Sequence, residues 1–200
     1  MDTLADQIRA CRQCEGMNIP GVTQAAPGYG SVHSPVVIVG ESLCHACMAS
    51  QEPFTGGAGR VLDRSLARAG IAKEEVFTTN AVHCHPHSQP RDNRDPHPHE
   101  ITNCMPYLRH ELEIVRPRLV IGLGRYARAA LGSIYPSAVP LPWPFTVDRH
   151  AGSAEASSPG LLFPSHPYWV MTRPEPFREE YVTALALALD WGFRGQPDTV

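Results

Sequence analysis

The 200-residue chain is 42% hydrophobic, with a net charge of −3, six cysteines and twenty prolines. That composition suits one packed domain, and the slight negative charge excludes a protein that holds nucleic acid by its overall field, so any such contact has to be a local patch. No apolar run approaches the roughly 18–20 residues that cross a bilayer. The opening MDTLADQIRA also lacks the apolar stretch of a secretory signal, so a cytoplasmic protein with no membrane partner is expected. In that setting cysteines are metal ligands or free thiols more often than disulfides.

Residues 1–10 read as a short polar helix, followed by the C-x-x-C of Cys11-Arg12-Gln13-Cys14. Prolines and glycines in 20–35 read as an extended loop. Val36-Val37-Ile38-Val39 is a continuous β-branched run, as in a strand covered on both faces. Gly40 ends the run, and Glu41 stands at its carboxyl end, where open α/β sheets place their ligand crevices. After a loop, Gly56, Gly57 and Gly59 lead into a helical pattern of Val61, Leu62, Leu66 and Ala69. The start of that helix would face the same crevice; an ordinary strand–loop–helix unit without a ligand fits equally well.

A second strand is expected over 76–82, carrying Asn80 near its end. Residues 83–99 form a loop rich in His and Pro, with His83, His85, His87, His97 and His99 beside Arg91 and Arg94. Residues 100–115 read as a helix with Cys104 in its first turns, ended by Pro117. Leu119-Val120-Ile121 is a third buried strand. Gly122-Leu123-Gly124 opens a helix to about Leu131. Residues 133–160 are irregular, Leu161-Leu162-Phe163 is a short strand, and Pro164-Ser165-His166-Pro167 follows. A last helix spans 176–191, and 194–200 reads as a flexible tail. The alternation gives an α/β fold, a three-layer α/β/α sandwich with a mainly parallel central sheet, in a single domain over 1–193.

Cys11, Cys14, Cys84 and Cys104 could complete a tetrahedral zinc site or an iron–sulfur cluster; Cys84 and Cys104 could equally be buried free thiols. Cys44-His45-Ala46-Cys47 is a second C-x-x-C. It reads either as part of a second, zinc-type metal site through Cys44 and Cys47 or as two unrelated thiols.

Several motifs in order carry a resemblance. They are Gly40-Glu41, Pro53-Phe54-Thr55-Gly56 with Ala58-Gly59, and Thr79-Asn80-Ala81-Val82 with Cys84. Asn93-Arg94-Asp95-Pro96, Cys104-Met105-Pro106-Tyr107-Leu108, the stretch Pro117 to Gly124 and Ser165-His166-Pro167 complete the set. Together they resemble the iron–sulfur branch of the uracil-DNA glycosylase superfamily, families 4 and 5, over roughly residues 8–190. The resemblance implies a [4Fe–4S] cluster on Cys11, Cys14, Cys84 and Cys104. It also implies hydrolysis of the N-glycosidic bond of uracil, or of another deaminated base, in DNA, by a monomer acting in base excision repair. Catalytic roles fall to Glu41, Asn80 and His166, and base binding to Gly40, Phe54 and Asn80.

Each of these side chains suits its task. Phe54 can stack on a flipped ring, Asn80 can pair with the polar edge of uracil, His166 can donate to the oxygen that gains charge, and Glu41 can orient water or support the cationic sugar. Each also has an ordinary reading, as a core aromatic, a turn amide, a capping histidine and a solvated carboxylate. Arg60, Arg64 and Arg68 share a helix face and, with Arg91, Arg94 and the loop histidines, are candidate phosphate contacts or simply a solvated charged surface.

The sequence departs from the family where Gly40-Glu41 continues into Ser42-Leu43-Cys44-His45 instead of Ala-Pro-Gly. A larger residue at Cys44 narrows the space beside C5 of the base. Three alternatives stay open on this account: a non-catalytic iron–sulfur binding homologue, a relative that traps uracil-DNA covalently through a loop histidine, and a zinc hydrolase using Cys44, Cys47 and nearby histidines.

Overall fold

The computed structural model describes residues 1–20, 22–88, 92–147 and 158–195. A four-stranded sheet runs β2-β1-β3-β4, built from β1 (Val36–Ser42), β2 (Phe77–Val82), β3 (Leu119–Gly122) and β4 (Gly160–Leu162). Every neighbouring pair is parallel. All six residues of β2 and all four of β3 are buried; β3 is an apolar run, whereas β2 buries Thr78, Thr79 and Asn80 among its apolar residues.

The two faces of the sheet build separate cores. Val36, Ile38, Leu119, Ile121 and Leu162 pack under α3 (Gly59–Ala69) and α7 (Glu175–Arg194). Val37, Val39, Phe77, Val120 and Leu161 pack under α4 (Pro98–Val115) and α5 (Arg125–Ile134). Alternate side chains of one strand thus face opposite helical layers, and the α/β/α sandwich expected from the sequence is the architecture observed.

Chain order places β2 on one side of β1 and β3 on the other. The connections therefore diverge beside β1, and a crevice opens at the carboxyl ends of the strands. α1 (Asp2–Ala10) packs Leu4 and Ile8 against Val82, Cys84 and Cys104.

Two short helices fall where loops are expected: α2 (His45–Ser50) and α6 (Pro167–Met171). Neither is long enough to show a helical period. Each begins with a side-chain cap, Cys44 Sγ accepting from the Cys47 N–H and His166 Nδ1 from the Tyr168 N–H. The last helix reaches Arg194, so that part of the expected tail is ordered helix; 196–200 lie outside the described residues. Among the described residues no helix is long and apolar enough to cross a membrane.

Candidate active site

A cleft of about 940 Å³ opens at the carboxyl edge of the sheet. Glu41, Phe54, Asn80 and His166 all line it, together with Gly56, Gly57, Ala58 and Gly59 at the start of α3. Four side chains far apart in sequence are thus brought to one concavity. Gly40 does not line it. Gly40 pairs with Asn80 across β1 and β2, and a β-carbon there would stand 2.4 Å from Asn80 Oδ1 and 2.7 Å from Phe54 Cζ. The missing side chain lets the ring and the amide meet at the strand end.

Phe54 holds φ at 60°, in the left-handed region, and is 9% exposed. Gly59 admits this conformation, because a β-carbon on Gly59 would lie 1.8 Å from the Phe54 carbonyl oxygen. The glycine that begins α3 thus accommodates the aromatic residue.

His166 accepts the Tyr168 N–H at Nδ1 over 3.2 Å. That bond assigns the ring proton to Nε2. Burial alone pushes its pKa below the ordinary histidine value, so the ring is a neutral donor near neutral pH. Gly124, at φ +88°, lets β3 turn beneath it; a β-carbon there would sit 2.9 Å from His166 Cβ. Tyr181 donates its hydroxyl to the Ser165 carbonyl over 2.7 Å, anchoring the same turn from α7.

Glu41 behaves differently from a surface carboxylate. Burial first, and then the charge of Asp95, push its pKa up to about 7, against the opposing pull of Arg125. Asp95 is itself ion-paired to Arg125, whose guanidinium also donates to the Tyr126 hydroxyl over 2.8 Å. No single segment of sequence shows this partnership, since Glu41, Asp95 and Arg125 come from three separate elements.

Behind Asn80 lies a buried polar brace. Glu111, 0% exposed, accepts from the Gly28 N–H at 2.7 Å and the Thr79 hydroxyl at 2.5 Å, and pairs with His83 Nε2 at 3.1 Å. Burial works most strongly against charge on His83, but the Glu111 carboxylate and Cys104 together outweigh it and raise the pKa. The loop histidine nearest the cleft strand is therefore committed to the interior.

Cys11, Cys14, Cys84 and Cys104 are free thiols gathered between α1 and α4. Burial raises the pKa of Cys84, and the other three thiols raise it further, so all four lie within electrostatic reach of one another. Asn103 donates to Cys14 Sγ at 3.3 Å. Among the described residues no three His, Cys, Asp or Glu are arranged as a ready single-ion site.

Cys44 and Cys47, expected as thiolate donors to zinc or as unrelated thiols, are instead joined by a disulfide. Two sulfurs bonded to each other carry no thiolate charge for a metal, and that expectation is corrected accordingly. Most of the candidate phosphate-binding arginines are also engaged elsewhere. Arg64 and Arg68 bridge to Glu175, Glu179 and Thr183 on α7. Arg94 is paired through both terminal nitrogens with the buried Glu100. Arg91 lies outside the described residues.

A sequence profile described as the Uracil DNA glycosylase superfamily matches residues 27–189. The chain belongs to the uracil DNA glycosylase superfamily. Within it, the chain is 32% identical over 186 residues to a Type-4 uracil-DNA glycosylase of Archaeoglobus fulgidus, covering 90% of this chain and 87% of that one. A Type-4 uracil-DNA glycosylase of Saccharolobus solfataricus is 35% identical over 66% of this chain and 58% of its own length. A Type-5 uracil-DNA glycosylase of Pyrobaculum aerophilum is 32% identical over 62% of this chain and 58% of its own. The superfamily match spans all four strands and the whole cleft edge, from β1 through α6.

Proposed function

We propose that this protein is a uracil-DNA glycosylase that hydrolyses the N-glycosidic bond of uracil, or of a related deaminated base, in DNA. The observation that carries the reading is the convergence of Glu41, Phe54, Asn80 and His166 on one cleft at the carboxyl edge of the sheet.

The base leaves the stack and enters the cleft. The Phe54 ring gives it a flat surface. The Asn80 amide offers one donor and one acceptor, which match the polar edge of uracil and mismatch that of cytosine. As the bond from C1′ to N1 lengthens, negative charge grows on the base oxygens and positive charge on the sugar. The neutral His166 ring donates through Nε2–H to an oxygen that gains charge, with no proton transfer required. Glu41, when ionised, faces the cationic sugar and orients a water for attack at C1′. Water adds to C1′ and loses a proton to solvent, the departing base anion takes one up from solvent, and the products are free base and an abasic site.

The same reading assigns Cys11, Cys14, Cys84 and Cys104 to a [4Fe–4S] cluster. The donor set fits: four free thiols, with charge on Cys84 and Cys14 disfavoured by burial and by the neighbouring thiols until a positive centre joins them. When bound, the cluster supplies a structural cross-link that pins the N-terminal arm to the segment after β2.

Release of free uracil from a labelled oligonucleotide tests the assignment. Wild type should release it, and Asn80→Ala should fall by ~10²–10³-fold, the usual cost of losing one placed polar partner. His166→Ala should fall comparably. Equal rates in all three proteins would remove the cleft from the chemistry.

A further inference from the structure

The wall of the cleft that departs from the family's first motif is Cys44-His45-Ala46-Cys47. Its two cysteines differ in exposure. Both border the cleft and the small cluster of Leu43 and Ala26, but Cys44 is partly exposed whereas Cys47 is 2% exposed. The Cys47 backbone N–H points at Cys44 Sγ over 3.2 Å. The Cys44 sulfur also faces the glycine turn before α3, 3.2 Å from where a β-carbon on Gly56 would stand. The other four cysteines are free thiols, so this pair alone is oxidised.

We propose that Cys44–Cys47 is a redox-active disulfide, exchanged with a dithiol reductant, whose opening loosens this wall of the cleft. The accessible sulfur is the one open to attack. A thiolate of the reductant adds to Cys44 Sγ, the bond between the two protein sulfurs breaks, and Cys47 leaves as a thiolate that takes a proton from solvent. The second thiolate of the reductant then attacks its own sulfur in the mixed disulfide. Cys44 departs as a thiolate, stabilised by the Cys47 N–H and then protonated, and the reductant leaves as an internal disulfide. Two electrons and two protons pass to the protein.

Once the bond is open, the start of α2 keeps only non-covalent ties. The helix has six residues, far below the length at which a helix stands alone. Those ties are the His45 N–H donating to Asn93 Oδ1 over 3.0 Å, the Cys47 N–H cap on Cys44 and the packing of Leu43 and Cys47. The opened wall is therefore more mobile, and the glycine turn beside it loses a fixed neighbour. No step of this depends on the base-excision reading.

The test uses the holoprotein in buffers of graded reduced-to-oxidised dithiothreitol ratio, followed by alkylation and mass measurement of the peptide containing residues 44 and 47. Both cysteines should become alkylated together in one two-electron transition. In Cys47→Ser, oxidised glutathione should add at Cys44; in Cys44→Ser, Cys47 should stay unmodified. Amide hydrogen exchange over 42–50 should quicken ~10-fold or more on reduction. A disulfide that survives excess dithiothreitol, singly alkylated species as the main product, or glutathione on Cys47 and not on Cys44 would each overturn the exchange. Unchanged hydrogen exchange would overturn the loosening.

Discussion

Glu41 carries the sharpest consequence at the scale of a single residue. Its pKa of about 7 lies above the ordinary 4.5, so the folded protein holds that proton more tightly than the unfolded chain. Its contribution to stability is whole below pH 4.5 and is lost as pH rises through 7. Glu41→Gln should therefore melt like wild type at pH 4 and at a higher temperature at pH 8, as calorimetry at the two pH values would show. Activity runs the other way. If the ionised carboxylate assists, the rate of base release rises with pH through about 7, and Glu41→Gln is slower by ~10²-fold with a flat profile. A Gln variant with the wild-type profile would assign the titration elsewhere. The four cleft side chains were legible in the sequence because each sits at a strand end or in a short motif. Asp95 and Arg125 were not, because their effect on Glu41 exists only once a strand end, a loop and a helix start meet.

Elements position these residues, and glycine at a strand end is the clearest case. Gly40→Ala would force a methyl group to within 2.4 Å of Asn80 Oδ1. The variant should lose ~1–3 kcal/mol of stability through overpacking and lose base release more severely, which denaturant melts and a rate assay would separate. The α3 arginines point the other way. Arg64 and Arg68 clamp α3 to α7 through Glu179 at half-exposed positions. Glu179→Ala should lower the melting temperature only slightly, because solvent screens the pair, and Arg68→Ala should leave the salt dependence of DNA binding unchanged. A salt slope reduced by about one would restore Arg68 as a phosphate contact. The long elements were legible from period and β-branched runs. The short helices α2 and α6 were not, since five or six residues do not complete a periodic pattern and their capping partners are a cysteine and a histidine.

Across the whole molecule, the parallel sheet and its two helical layers followed directly from alternating buried strands and amphipathic helices. The meeting of the N-terminal arm with the segment after β2 had a weaker signal, two cysteine pairs some seventy residues apart in sequence, and the electrostatic proximity of all four thiols, with Cys84 and Cys104 buried, gives that signal a physical basis. Iron analysis of protein purified without air should find iron in wild type and its loss in Cys84→Ser, with the arm around α1 becoming protease-sensitive. The Cys44–Cys47 bond ran against expectation because sequence gives spacing and not oxidation state. The account rests most heavily on turnover at the cleft. The direct measurement is the number of uracil molecules freed per protein molecule when a uracil-containing oligonucleotide is in large excess. We predict many per protein, with abasic DNA as the partner product and no release from a cytosine-containing control. No release despite binding, or a single equivalent with the protein left bonded to the DNA, would contradict it.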